Sequence, residues 1–179
     1  MDVLTGVGLS GAAGLNAWLP AFAGALLTRL GVVDLGGPFE QLSETPALVV
    51  LGVLTVADFV GDKIPAVDHV LHTAGGVVAP LSGTVLFTGE TDADLWISLL
   101  AGGSTAGGVH ALRAAVRPLS TATTAGFGNP VLSLIEDAGS ATLTLFAFVA
   151  PVLAVLALLG LVAVGLALWR RRRRRRRSA

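Results

Sequence analysis

Cysteine is absent from the 179-residue chain, and charged residues are scarce. Without cysteine the chain has no disulfide framework, no thiolate metal site and no cysteine nucleophile. Only 13% of its residues are charged, whereas a soluble globular domain usually carries about 25%. The shortage of charge therefore argues against a soluble domain.

Sequence motifs of enzymes are absent as well. There is no HExxH motif, no GxSxG in a strand context, no phosphate-binding loop and no cofactor fingerprint. The opening MDVLTGVGLS also lacks the basic stretch with which a signal peptide begins, so we expect the N-terminus to be retained. We expect a protein that is not an enzyme and uses no cofactor, and the sequence assigns no metal.

What the chain does contain is hydrophobic residues, which make up 53% of it and give a mean hydropathy of +0.77. Apolar runs of about 18 residues or more recur along it, which is the length needed to cross a bilayer. The sequence therefore predicts an all-α, polytopic transmembrane helical bundle in the cell (inner) membrane.

About six membrane elements are predicted, the first four at roughly 3–30, 46–64, 70–88 and 95–116. The 39 residues from Val131 to Trp169 carry charge only at Glu136 and Asp137 and would form a helix of about 58 Å, too long for one span. We interpret them as two elements that turn near Ala150-Pro151. A re-entrant half-helix followed by one full span is the alternative.

The C-terminal arginine run sets the predicted orientation. Positive charge favours the cytoplasmic side, and six elements then place both termini inside. The run is also expected to attract anionic lipid headgroups, whereas any binding of nucleic acid would be non-specific. Glycine-rich spans that bury little on their own favour a homo-oligomer. The run consists of Arg170, Arg171, Arg172, Arg173, Arg174, Arg175, Arg176 and Arg177.

A weak internal repeat suggests two halves inserted in opposite senses. SGAAGLNA at 10–17 aligns with STAGGVHA at 104–111, which makes Asn16 and His110 equivalent. Inverted repeats of this kind are common in transporters. The predicted organisation is a first half-repeat at 1–90, a second at 91–169 and a cytoplasmic tail at 170–179. The alternative for Asn16 and His110 is an interhelical hydrogen bond.

The stretch VADFVGDKIPAVDH collects charges at one end of an apolar segment. Asp58 would lie about 9 Å inside the predicted span, where a carboxylate facing lipid is costly, so we expect it to face the bundle interior or a wet cavity. The other four charged or titratable residues can sit at the headgroup level and cap a helix end. These four are Asp62, Lys63, Asp68 and His69.

Glu136 and Asp137 are likewise carboxylates within an apolar segment, in the second half of the chain. Neighbouring residues point about 100° apart on a helix, so we expect at most one of them to face a cavity shared with Asp58. Such a cavity would suit protons or hard cations such as Mg²⁺ or Ca²⁺. The alternative is that Lys63 and Arg113 neutralise these carboxylates as structural ion pairs.

Three stretches in this order, GLSGAAGLNAWLP, VADFVGDKIPAVDHV and GFGNPVLSLIED, resemble domain-of-unknown-function family 4126, which comprises small bacterial integral membrane proteins. The resemblance covers roughly residues 5–160. The family usually carries glutamate at the position of Asp58, a difference that keeps the carboxylate. The resemblance implies a membrane protein and implies no activity.

Two hypotheses of function follow. The first is a small ion- or proton-coupled transporter or channel that uses Asp58 and Glu136, with Asn16 and His110 nearby. The second is a structural or partner-binding membrane protein whose buried charges pair internally.

Overall fold

A computed structural model describes residues 2–61, 64–124 and 128–177 of the chain. Within these ranges the side chains are described except at 65, 66, 68, 69, 116–124, 169 and 171–177. All regular secondary structure in the described residues is helical, which confirms the predicted all-α class.

The four longest helices, α5, α7, α8 and α9, all lie after residue 64. In several of them a proline stands in the first turn, where its missing N–H has no helical partner to lose. The order is α1 (Asp2–Leu15), α2 (Leu19–Arg29), α3 (Pro38–Leu42), α4 (Thr45–Gly61), α5 (Pro65–Thr91), α6 (Leu95–Ser98), a π-helical turn (Leu99–Gly103), α7 (Ser104–Thr124), α8 (Asn129–Val149) and α9 (Pro151–Arg177).

Among the described residues, three helical segments are long and apolar enough to cross a membrane: Val70–Thr91, Asn129–Val149 and Pro151–Leu168. Two shorter apolar helices, α1 and α4, accompany them. The exposed surface of these helices is rich in valine and leucine, as expected where lipid is the solvent.

The core of the bundle is built around α1. This helix packs against α5, α7, α8 and α9, and its residues from Ser10 to Leu15 are all buried. Small side chains let the neighbouring backbones come close, as is usual for helices that associate in membranes. At Gly14, for example, an added Cβ would lie 2.6 Å from the carbonyl oxygen of Ala106 on α7.

The predicted first element, 3–30, is wrong as a single helix. The helix is interrupted at 16–18, so α1 ends at Leu15 and α2 starts at Leu19. We call residues 16–18 the break. The predicted turn at Ala150-Pro151 does separate α8 from α9, and α4 and α5 match the second and third predicted elements. The fourth predicted element is longer than expected and runs through Thr124.

Two glycines six residues apart differ in the space around them, so changing each to alanine is expected to have different effects on stability. A Cβ on Gly102 would press on the backbone oxygen of Gly83 and lie 2.5 Å from the Cβ of Phe87, whereas a Cβ on Gly108 meets nothing within 4 Å. We expect Gly102→Ala to lower the free energy of unfolding by about 1–3 kcal/mol, as overpacking does. Gly108→Ala, the matched control, should be neutral or stabilise by up to about 1 kcal/mol.

The measurement is unfolding of the purified protein in detergent, followed by circular dichroism. Equal midpoints for the Gly102→Ala and Gly108→Ala variants would contradict the close approach of α5 to the π-helical turn.

Candidate functional site

The break between α1 and α2 is organised by Asn16. Its side-chain Oδ1 accepts hydrogen bonds from the backbone N–H groups of Trp18 (3.1 Å) and Leu19 (3.0 Å). These are N–H groups at the start of α2, which have no partner within the helix. Asn16 thus ends one helix and begins the next, and it is only 1% exposed.

Carbonyl oxygens exposed by the break are satisfied by side chains from distant helices. Arg113 on α7 donates from one NH group to the oxygen of Leu15 (2.6 Å), and the hydroxyl of Ser82 on α5 donates to the oxygen of Ala17 (2.6 Å). An irregular backbone inside a membrane protein is tolerated only where such partners exist. The positive charge of Arg113 also lies at the C-terminal, negative end of the α1 dipole.

Helix α8 approaches the same point with a row of buried polar side chains. The hydroxyl of Ser140 donates to the oxygen of Ala12 (2.9 Å), one turn before the end of α1. The Nδ2 of Asn16 donates to Oδ1 of Asp137 (2.9 Å), and Asp137 is 6% exposed. The break is therefore tied to α8 by a hydrogen bond between side chains 121 residues apart.

Arg113 also forms a buried ion pair with Glu136. Its Nε lies 2.6 Å from Oε2 of Glu136, and each side chain is 9% exposed. A charge in this setting is stable only with an opposite charge and further hydrogen bonds. Arg113 has both, because it holds a carboxylate and a helix-terminal carbonyl at once.

A polar cavity of about 50 Å³ borders the break. Its lining includes Trp18 from the break, Asp58 from the last turn of α4, His72 from α5, and His110 and Arg113 from α7. A water molecule needs roughly 10–15 Å³ of such space together with polar partners, so the cavity has room for a few waters or one ion. Elements from both halves of the chain thus meet at one small polar space.

Two imidazole rings face each other in this cavity. The rings of His72 and His110 are 5.0 Å apart between centroids and tilted by 32°. Their approach depends on Gly75, since a Cβ there would lie 2.6 Å from Cε1 of His110. Imidazoles exchange protons near neutral pH and bind cations, so this pair adds proton-handling chemistry to the carboxylate of Asp58.

The predicted site residues fall into three groups. Asp58 and His110 line the polar cavity. Asn16 and Asp137 bond to each other at the break, and Glu136 pairs with Arg113 as in the ion-pair alternative. The remaining predictions concern Asp62 and Lys63, which lie outside the described residues, and the undescribed side chains of Asp68, His69 and Arg171 to Arg177.

His72, Ser82 and Ser140 were missed as site residues. His72 follows His69 by three residues, a spacing that could bind a metal, but two histidines are weak evidence and nothing in the sequence joins His72 to His110. Serines in apolar helices usually satisfy their own backbone, so no local pattern marked Ser82 or Ser140. As for metals, no group of three or more histidine or acidic side chains that could hold an ion occurs among the described side chains.

A search of protein families matches residues 3–171 to the family described as Domain of unknown function (DUF4126). No curated protein and no solved structure matches the chain. The match covers nearly the whole sequence and includes every residue of the break, the ion pair and the polar cavity. The chain therefore belongs to the DUF4126 family of proteins, as its three characteristic stretches indicated.

Proposed function

We propose that this protein carries protons or small cations across the membrane through the polar cavity beside the helix break. The observation that supports the proposal most is the meeting of a broken helix with a cavity lined by Asp58, His72 and His110. In membrane transporters, helix ends freed by such breaks commonly border the substrate site. Titratable side chains within membrane helices are rare and usually mark ion or proton pathways.

The charge balance around the break suits a positively charged substrate. Among the described side chains, Asp58 lines the polar cavity together with Arg113, Glu136 pairs with Arg113, and Asp137 bonds to Asn16 at the break. Arg113 contacts Glu136 and the Leu15 carbonyl, and Asp58 and the two histidines also line the cavity. A proton, or a small cation stripped of most of its water, fits both the charge and the volume.

The direct test is flux into liposomes that contain the purified protein. Gradients of protons, alkali cations, Mg²⁺ and Ca²⁺ are applied one at a time, with protein-free liposomes as the control. We expect one of these ions to cross faster than in the control. Control-level flux for all of them would overturn the proposal.

The second candidate is a structural or partner-binding membrane protein. Its support is that Arg113–Glu136 and Asn16–Asp137 are internal contacts that join the end of α1 to α7 and α8. A protein of this kind would show no flux, and the double change Asp58→Asn with Glu136→Gln would collapse its stability, because the lost charges would be structural.

The proposed membrane arrangement has six elements, an inverted repeat of three and both termini in the cytoplasm. Because the chain has no cysteine, single cysteines introduced at Glu40 and Ser120 report on their own positions. We expect a membrane-impermeant thiol reagent applied to intact cells to label Glu40→Cys and to leave Ser120→Cys unlabelled until the cells are opened. Labelling of both from one side would rule out this arrangement.

A further inference from the structure

A second cavity, separate from the polar one, opens between α7, α8 and α9. We call it the α7–α9 groove and define it by Leu112, Leu132, Ile135, Val164, Gly165 and Leu168. Its volume is about 260 Å³. The groove is large enough to take part of a hydrocarbon chain.

The shape of the groove follows from two glycines on facing helices. Gly139 on α8 and Gly165 on α9 present no side chain, and a Cβ on Gly165 would only reach ordinary contact with Leu112, at 3.6 Å. The outer rim is open, since Ile135 is 63% and Val164 is 60% exposed. In a membrane this rim faces hydrocarbon, so an acyl chain can enter from the side.

The wall of the groove is almost entirely apolar. The charged groups at its floor, Arg113 and Glu136, direct their polar atoms to each other and to the Leu15 carbonyl. An occupant therefore needs no hydrogen bonds within the groove. A hydrocarbon chain meets this requirement, whereas a polar solute would lose its water without replacement.

The groove reaches the part of α9 that the arginine run follows in sequence. Leu168 lines the groove, and the eight consecutive arginines begin two residues later, at Arg170. The end of an apolar span marks the headgroup level of the bilayer. Basic residues at that level attract anionic headgroups, and zwitterionic headgroups much less.

We propose that the α7–α9 groove binds one acyl chain of an anionic phospholipid, whose headgroup is held by the arginine run that starts at Arg170. This proposal is independent of transport, because it involves neither the polar cavity nor Asp58. It assigns the arginine run a specific partner beyond general attraction to a charged membrane surface.

The test compares lipid retained by the full-length protein after purification in detergent with defined lipids, read by native mass spectrometry. Phosphatidylglycerol is compared with phosphatidylcholine of the same acyl chains. We expect the wild type to retain phosphatidylglycerol several-fold over phosphatidylcholine. Replacing the eight arginines by glutamine should remove this preference.

Two matched variants of α9 locate the acyl chain. Gly165→Phe fills the groove, whereas Gly160→Phe adds the same side chain at a position where a Cβ meets nothing within 4 Å. We expect Gly165→Phe to lose the retained phosphatidylglycerol and Gly160→Phe to keep it. Gly165→Leu, a smaller filling, serves as the second groove variant if the phenylalanine variant does not fold.

Two results would overturn the proposal. Equal retention by the variants at 165 and 160 would show that lipid is held outside the groove. Equal retention of the two phospholipids by the wild type would show that the arginine run selects no headgroup.

Discussion

Replacing Glu136 by glutamine is expected to lower the free energy of unfolding by roughly 3–5 kcal/mol, as loss of one partner does in a buried ion pair. The change keeps the size of the side chain and removes its charge. The guanidinium of Arg113 then stays buried next to the Leu15 carbonyl without the carboxylate 2.6 Å from its Nε. The measurement is equilibrium unfolding in mixed detergent micelles.

The control for this prediction is a double-mutant cycle with Arg113→Met. Once both charges are gone, no uncompensated charge remains, so the double variant should be more stable than the sum of the two single changes predicts. Glu40→Gln makes the same chemical change at an exposed carboxylate outside the bundle and should cost less than about 0.5 kcal/mol. An unaltered midpoint for Glu136→Gln would show that the ion pair does not stabilise the fold.

The positions of the long helices could be predicted because their signals are local. Hydropathy marks an apolar run, and a proline marks a first turn, as at Pro65 and Pro151. The length argument for 131–169 is equally local, since a single span cannot use about 58 Å of helix. These signals depend only on residues that are neighbours in sequence, so they can be interpreted without knowledge of the tertiary structure.

The break at Asn16 could not be predicted because its causes are remote in the chain. The residues before it are small and apolar, and they favour one continuous span. The break is stabilised by hydrogen bonds to other helices, at sequence separations of 98, 65 and 121 residues. Arg113 and Ser82 donate to carbonyl oxygens of the break, and Asp137 accepts from Asn16. A carboxylate or an arginine in an apolar run indicates that the side chain needs a partner. The sequence of the run does not indicate which residue that partner is.

The same difference between local and remote causes explains how far the positions of the acidic residues could be predicted. The depth of Asp58 within its predicted span led us to expect an inward-facing side chain, and in the structure Asp58 lines the polar cavity. For Glu136 two hypotheses remained open, a site carboxylate and an ion pair, and only the tertiary structure shows that Arg113 lies within hydrogen-bonding distance. Asp58 lines the polar cavity together with both histidines.

Asp58→Asn is therefore expected to reduce ion flux to the level of protein-free liposomes while the protein stays folded. Asparagine keeps the shape of the side chain and can still accept and donate hydrogen bonds, but it can neither carry a negative charge nor take up a proton. A cation would lose its counter-charge in the cavity, and a proton would lose its acceptor beside His72 and His110. The measurement is the flux assay in liposomes with the ion that the wild type transports.

Two further variants separate a role in the pathway from a general effect of charge. Asp94→Asn removes a carboxylate from an exposed loop and should leave flux unchanged. Asp58→Glu restores the charge with one more methylene and should recover much of the flux if the carboxylate is the essential group. Full flux through the Asp58→Asn protein would place the pathway elsewhere. Loss of flux together with a large loss of stability would mean that Asp58 holds the structure, in which case the internal-pairing hypothesis would extend to this carboxylate as well.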